Sequence, residues 1–156
     1  MIDSLSFRRA CSKYATGVTI AAIIDEHGKP HGLTVNSFTS VSIAPPLILI
    51  CLDHKVKVLE YFRKSTSFGI SILNESQQDT SNRFASKGEN RFHHTPWHAA
   101  KSGAPLIDGA LATFDCEVSQ IVEAGDHAIF IGKVKAMTVS EGRPLLYFGS
   151  NYQSLA

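Results

Sequence analysis

A chain of 156 residues with 15 Lys and Arg against 14 Asp and Glu carries a formal charge of +1, so its overall balance points to neither nucleic acid nor an anionic membrane as partner. The length fits one domain, residues 1–156, able to bury roughly two thirds of its unfolded surface without staples. Cys11, Cys51 and Cys116 are scattered and form no C-x-x-C pair, which argues against a disulfide scaffold or a thiolate zinc site and for reduced thiols in the cytoplasm.

The opening residues carry Asp3 and no apolar leader, and no stretch approaches transmembrane length, so the expectation is a cytoplasmic protein without a membrane span. Phe7, Ala10, Cys11 and Tyr14 recur at helical spacing before Gly17 and predict an amphipathic helix from about Ser4 to Tyr14. "GVTIAAII", the turn "DEHGKP" and "HGLTVNS" predict a hairpin. "PLILICL" and "SFGISIL" read as buried strands, with "VLEYFRK" as a short helix between them. Ser76 with Asp79 predicts an N-cap for a helix through "QQDTSNRFASKG", stopped by Gly88. The stretch from Glu89 to Gly109 lacks periodicity and carries two prolines, so it is expected to be a loop folded over the body.

In "ALATFDCEVS" the residues Ala112, Phe114, Cys116 and Val118 alternate with Thr113, Asp115, Glu117 and Ser119, predicting a strand with one wet face. "HAIFIGKVKAMTV" is a long strand and "PLLYF" a last short one. Six or more strands with few helices predict a mainly β fold, a closed or nearly closed barrel rather than a parallel α/β sheet.

The glycines form neither G-x-G-x-x-G nor a P-loop, which removes the local nucleotide motifs. His93, His94 and His98 lack metal-site spacing and read as loop histidines, so no metal is expected. Cys51 and Cys116, on apolar strands, read as small buried hydrophobes. One stretch stands apart. Thr34, Asn36, Ser37, Thr39, Ser40 and Ser42 alternate with Leu33, Val35, Phe38 and Val41 and run into Pro45-Pro46 and an apolar strand. Such a bend either lines a cavity or is a polar turn capped by its own hydroxyls.

Taken in order, "TVNSFTSVS", "PPL", "CL", "GDHAIFIGKV" and "PLLYF…Y" make the chain resemble the flavin reductase family over almost its whole length. The resemblance implies an FMN-binding split β-barrel of Greek-key type, six or more antiparallel strands, usually a homodimer. It implies FMN or FAD as flavin, NADH or NADPH as co-substrate, and a flavin-dependent monooxygenase as partner. Flavin contacts are implied at Thr34, Asn36, Ser37, Phe38, Thr39, Ser40, Ser42, Cys51 and Leu52. Arg83, beside Phe84, is implied for the flavin phosphate. Where the family often has a hydroxyl after "CL", this chain has Lys55, Val56 and Lys57, so a lysine is expected to take that contact. His127 and Tyr152 are implied for the nicotinamide. The rival readings are a split-barrel flavin carrier or sensor and a flavin-retaining oxidase or oxygenase. No acid, base or nucleophile is required, because hydride transfer belongs to the two ring systems and the protein must hold them face to face.

Overall fold

The computed structural model describes residues 1–88 and 90–156. Asp3 caps α1 (Ser4–Cys11) by accepting the Ser6 N–H at 2.9 Å. The helix is shorter than its spacing predicts, because the Lys13 and Tyr14 N–H groups close three-residue turns onto Ala10 and Cys11. β1 (Thr16–Gly17) follows. β2 (Thr19–Ile24) and β3 (Pro30–Val35) form the expected hairpin, and β4 (Thr39–Ser42) leads through Pro45-Pro46 into β5 (Leu47–Asp53). α2 (Leu59–Lys64) precedes β6 (Ser67–Ile72).

The next helical segment starts two residues earlier than expected. Asn74, not Ser76, is the cap: its Oδ1 accepts the Ser76 N–H at 2.8 Å while Gln77 Oε1 accepts the Asn74 N–H at 3.0 Å, a reciprocal capping box. A 3₁₀ turn, Glu75–Gln77, opens α3 (Gln78–Ala85). The helix also stops before Gly88, since the Ser86 hydroxyl donates to the Arg83 carbonyl at 2.8 Å and closes the last turn.

Within the stretch expected to be irregular, β7 (Trp97–Ala99) and β8 (Pro105–Ile107) pair as a small hairpin, too short for a period of two to show. β9 (Ala112–Ala124) and β10 (His127–Val139) are the long strands, and β11 (Leu146–Phe148) pairs with β12 (Asn151–Gln153) and with β1.

Seven strands make one antiparallel sheet in the order β3-β2-β6-β9-β10-β5-β4. One face is a hydrocarbon interior. Ile48, Ile50 and Leu52 alternate inward from β5 and meet Ala21, Ile23, Phe68, Ile70 and Phe130, with Leu59 and Phe62 of α2 closing the end. The outer face of β2 is covered by a second cluster, in which Ile20 meets Phe84 of α3 and Ile107 of β8. Gly69 permits that cover, because a Cβ there would sit 2.5 Å from the Pro105 carbonyl oxygen.

The same cover corrects half of the expected wet face of β9, whose Glu117 and Ser119 are exposed as expected. Thr113 and Asp115 are buried: the Ser102 hydroxyl donates to Asp115 at 2.5 Å, and the Thr113 and Thr138 hydroxyls lie 2.6 Å apart. Cys116 is buried and its thiol is pushed up to about 12 by desolvation, reinforced by the Asp115 charge.

Candidate active site

A groove of about 770 Å³ opens beside the start of β3. Its walls come from three places: residues 29–34, residues 55–58 with Tyr61, and the segment 84–88 with Arg91 and Phe92. Leu33, Val56, Val58, Phe84 and Phe92 supply hydrocarbon. Lys29, Lys55, Lys57, Lys87 and Arg91 supply five cations, and no carboxylate lines the groove among the described residues. A chain of nearly balanced charge thus concentrates positive charge in one concavity.

Arg91 is the best-held of these cations. Its Nη1 donates to the Gly32 carbonyl at 2.6 Å and its Nη2 to the Ser86 carbonyl, which ties β3 to the turn after α3. Its Nε–H is buried without a partner among the described residues. Burial lowers the guanidinium's pKa from its ordinary value without threatening its charge. Gly32 admits the neighbouring wall, since a Cβ there would lie 2.9 Å from the Ala21 carbonyl oxygen and 3.0 Å from Phe92 Cζ.

His31, next to Gly32 in the lining, is stacked on Tyr61 with ring centroids 3.7 Å apart and 11° between planes. His31 Nε2 lies 2.8 Å from Asp25 Oδ2. Asp25 Oδ1 accepts N–H bonds from His27 and Lys29, each at 2.9 Å. The His31 hydrogen bond first, and these backbone donors after it, hold the Asp25 carboxyl down to about 2.

Of the residues singled out in the sequence, Thr34, Lys55, Lys57 and Phe84 line this groove. Thr34 is half-buried and its hydroxyl donates to the Ser81 carbonyl at 2.6 Å. Ser37 is used by the backbone: its Oγ accepts the Cys51 N–H at 2.9 Å and donates to the Cys51 carbonyl at 3.1 Å. Asn36, Thr39 and Ser40 are exposed, Ser42 is half-buried, and Phe38 packs on Phe114 at 5.7 Å. Cys51 is half-buried with its thiol pKa raised by desolvation, and the Leu52 side chain is sealed in the interior.

Arg83 points elsewhere. Its Nη1 donates to Thr95 Oγ1 at 2.7 Å and to the His94 carbonyl at 3.4 Å, so it braces the turn before β7 and is not part of the groove's lining. Tyr152 has its hydroxyl 2.6 Å from Ser81 Oγ and its ring edge-on to Tyr147. The triplet Asn-Arg-Phe occurs twice, at residues 82–84 and 90–92. The two phenylalanines meet edge to face at 4.8 Å, while the two arginines diverge, and it is the second that enters the groove.

Residues 11–156 match the model of the flavin reductase like domain. The chain belongs to the flavin reductase family. A probable flavin reductase of Rhizobium meliloti (strain 1021) is 41% identical over 97% of this chain, which spans 49% of that relative's length. An NADH-dependent flavin reductase, StyB, of Pseudomonas fluorescens is 38% identical, covering 97% of this chain and 89% of its own. The NADH:FAD oxidoreductase SgcE6 of Streptomyces globisporus C-1027, solved with NAD and FAD fragments, superposes with a TM-score of 0.94 at 34% identity over 99% of this chain and 93% of that one. The sheet described above fits the split-barrel fold of these flavin reductases.

In this family member His127 opens β10, paired in register with Asp53 at the end of β5, two residues from Lys55 of the groove. Its Nδ1 lies 2.7 Å from Asp126 Oδ1, and that hydrogen bond, with the charge of the ring, lowers the Asp126 carboxyl. Nearby, Glu123 accepts from Arg63 and lies 2.8 Å from His54 Nε2, contacts that lower its carboxyl too. Among the described residues no group of three or more His, Cys, Asp or Glu is placed to hold a metal ion, and no helix is long and apolar enough to cross a membrane.

Proposed function

We propose that this chain is an NAD(P)H:flavin oxidoreductase that supplies reduced flavin to a flavin-dependent monooxygenase in the cytoplasm. The observation that carries the reading is the groove itself, lined by hydrocarbon and by five cations, in a chain of the flavin reductase family. A flavin demands that pairing, since its ring is largely apolar and its tail is anionic. Bound flavin supplies the hydride acceptor for reduced nicotinamide, and this is the cofactor's own chemistry.

The residues bind and orient. Lys55, Lys57 and Arg91 hold the flavin phosphate, with Arg91 in the role that the resemblance gave to Arg83. Thr34 and the bend from Asn36 to Ser42, with Phe38, Cys51 and the backbone at Leu52, flank the ring. His127 stands at the strand end where a nicotinamide would be oriented, and Tyr152 supports α3 through Ser81. A homodimer is the proposed assembly: Val41, Ile43, Met137 and Val139 are exposed apolar side chains, and β10 continues past Lys133, the last residue it pairs with β5.

The test mixes purified protein with NADH or NADPH and added FMN, FAD or riboflavin and follows loss of the reduced-nicotinamide absorbance. Oxidation that depends on added flavin is expected. Saturable flavin binding with both nicotinamides left unoxidised would overturn the reductase in favour of a carrier. His127→Ala should raise the KM for NADH with flavin Kd unchanged; loss of flavin affinity instead would move His127 out of the nicotinamide site.

A further inference from the structure

A second cavity, of about 410 Å³, lies against the groove and is lined by Lys29, Pro30, Asn90, Phe92, His93 and Trp97. Lys29, Pro30 and Phe92 belong to both cavities, so one ridge separates them. The character changes across that ridge. Both are lined by aromatic rings, but the groove carries five cations whereas the second cavity has Lys29 alone beside three rings and one exposed amide. Two of the rings are fixed in place: Phe92 is edge-on to Phe84 and to Trp97, at 4.8 Å and 5.7 Å, and Trp97 stands on β7, paired with Ile107 of β8.

We propose that this cavity receives the adenine ring of FAD, which makes FAD rather than FMN the preferred flavin. The inference rests on the reading of the groove as a flavin site. A flavin mononucleotide ends at its phosphate among Lys55, Lys57 and Arg91 and leaves both the ridge lysine and the aromatic cavity unused. A dinucleotide continues: its second phosphate meets Lys29 on the ridge, and its adenosine enters a cavity of flat apolar faces beside an amide. Aromatic side chains stack on a purine whatever its edge pattern, and the Asn90 amide offers the donor and acceptor pair that matches adenine. Proximity to the groove selects the flavin's own adenosine over an unrelated nucleotide, because one molecule then spans both cavities.

Three proteins decide the matter: wild type, Trp97→Leu, and the exposed double variant Asn90→Ala/His93→Ala. The double variant leaves the packed Trp97 in place should its replacement not fold. The Kd for FAD, FMN and ADP is measured by titration and the KM for NADH by turnover. Wild type is expected to bind FAD at least tenfold more tightly than FMN, with ADP competing against FAD. Either variant should weaken FAD by roughly 5- to 100-fold and leave FMN unchanged. Equal wild-type affinities, or an equal loss for both flavins, would overturn the adenine site while leaving the flavin groove standing. A raised KM for NADH with FAD unaffected would overturn it in favour of the nicotinamide dinucleotide's adenosine. If neither FMN nor FAD binds saturably, the groove reading itself fails and the proposal falls with it.

Discussion

Two polar segments flank the same end of the barrel and use their polarity in opposite ways. The bend from Thr34 to Ser42 is dense in hydroxyls, yet Thr34 is spent on the Ser81 carbonyl, Ser37 on both backbone groups of Cys51, and Thr39 and Ser40 face solvent. The segment from Ser86 to Phe92 has fewer polar side chains but delivers Lys87 and Arg91 to the groove. The difference is one of valence. A hydroxyl is satisfied by one or two nearby backbone groups. A guanidinium with five donors is not exhausted by two carbonyls, and Arg91 keeps a buried Nε–H without a partner among the described residues.

The comparison breaks first at Arg91. Arg91→Ala removes charge-assisted contacts worth about 1.5–3 kcal/mol each, so flavin Kd should rise by roughly 10- to 100-fold. Arg91→Lys should restore only part, having the charge without the fork. Thr39→Ala and Ser40→Ala remove hydroxyls beside the ring but no charge, so each should raise the same Kd by only about two- to fivefold. If the bend variants prove the more damaging, the anion site belongs to the bend and the assignment of Arg91 is wrong.

A smaller effect sharpens the other half. Ser37→Ala leaves the half-buried N–H and C=O of Cys51 without their partner, at a cost of about 1–2 kcal/mol, which for a domain of this size lowers Tm by about 2–8 °C. Thermal unfolding followed by circular dichroism reads it directly. A melting temperature equal to that of wild type would show that the bend is not clamped to β5.

How much of this was legible follows the same division between local and distant causes. β5 could be read as a buried strand and β2–β3 as a hairpin because an unbroken apolar run and turn residues are written within a few positions, whereas the inward alternation of Ile48, Ile50 and Leu52 inside that run could not. The capping of α3 was misplaced by two residues, since Ser76 and Asn74 are both good cap types and only the reciprocal bond with Gln77 decides between them. The wet face expected of β9 holds at Glu117 and Ser119 but is lost at Thr113 and Asp115, because the cover over Asp115, Ser102 with the β7–β8 hairpin, comes from outside the strand. Lys55 and Lys57 were found as a departure from the family's pattern. Arg91 was missed although its Asn-Arg-Phe triplet repeats that of Arg83, since nothing local says which of two like triplets turns toward β3.

The smallest effect tests the groove's wall at His31, where polarity is satisfied more fully than in either flanking segment. The Asp25 carboxyl is held to about 2, below its ordinary value of 3.8, by the His31 hydrogen bond first and the Lys29 and His27 N–H groups after it. A carboxyl depressed in the folded state favours folding above its unfolded pKa and loses that contribution as pH falls through the folded one. The stability gap between wild type and Asp25→Asn should therefore narrow as pH falls from about 4 to about 2, read as the urea midpoint at each pH. Because His31 stacks on Tyr61 and lines the groove, the same titration in the presence of FMN should show flavin affinity in wild type weakening over the same interval, as the wall loses its anchor. A gap that stays undiminished down to pH 2 would mean that the Asp25 charge does not hold His31, and that the wall stands on the ring stack alone.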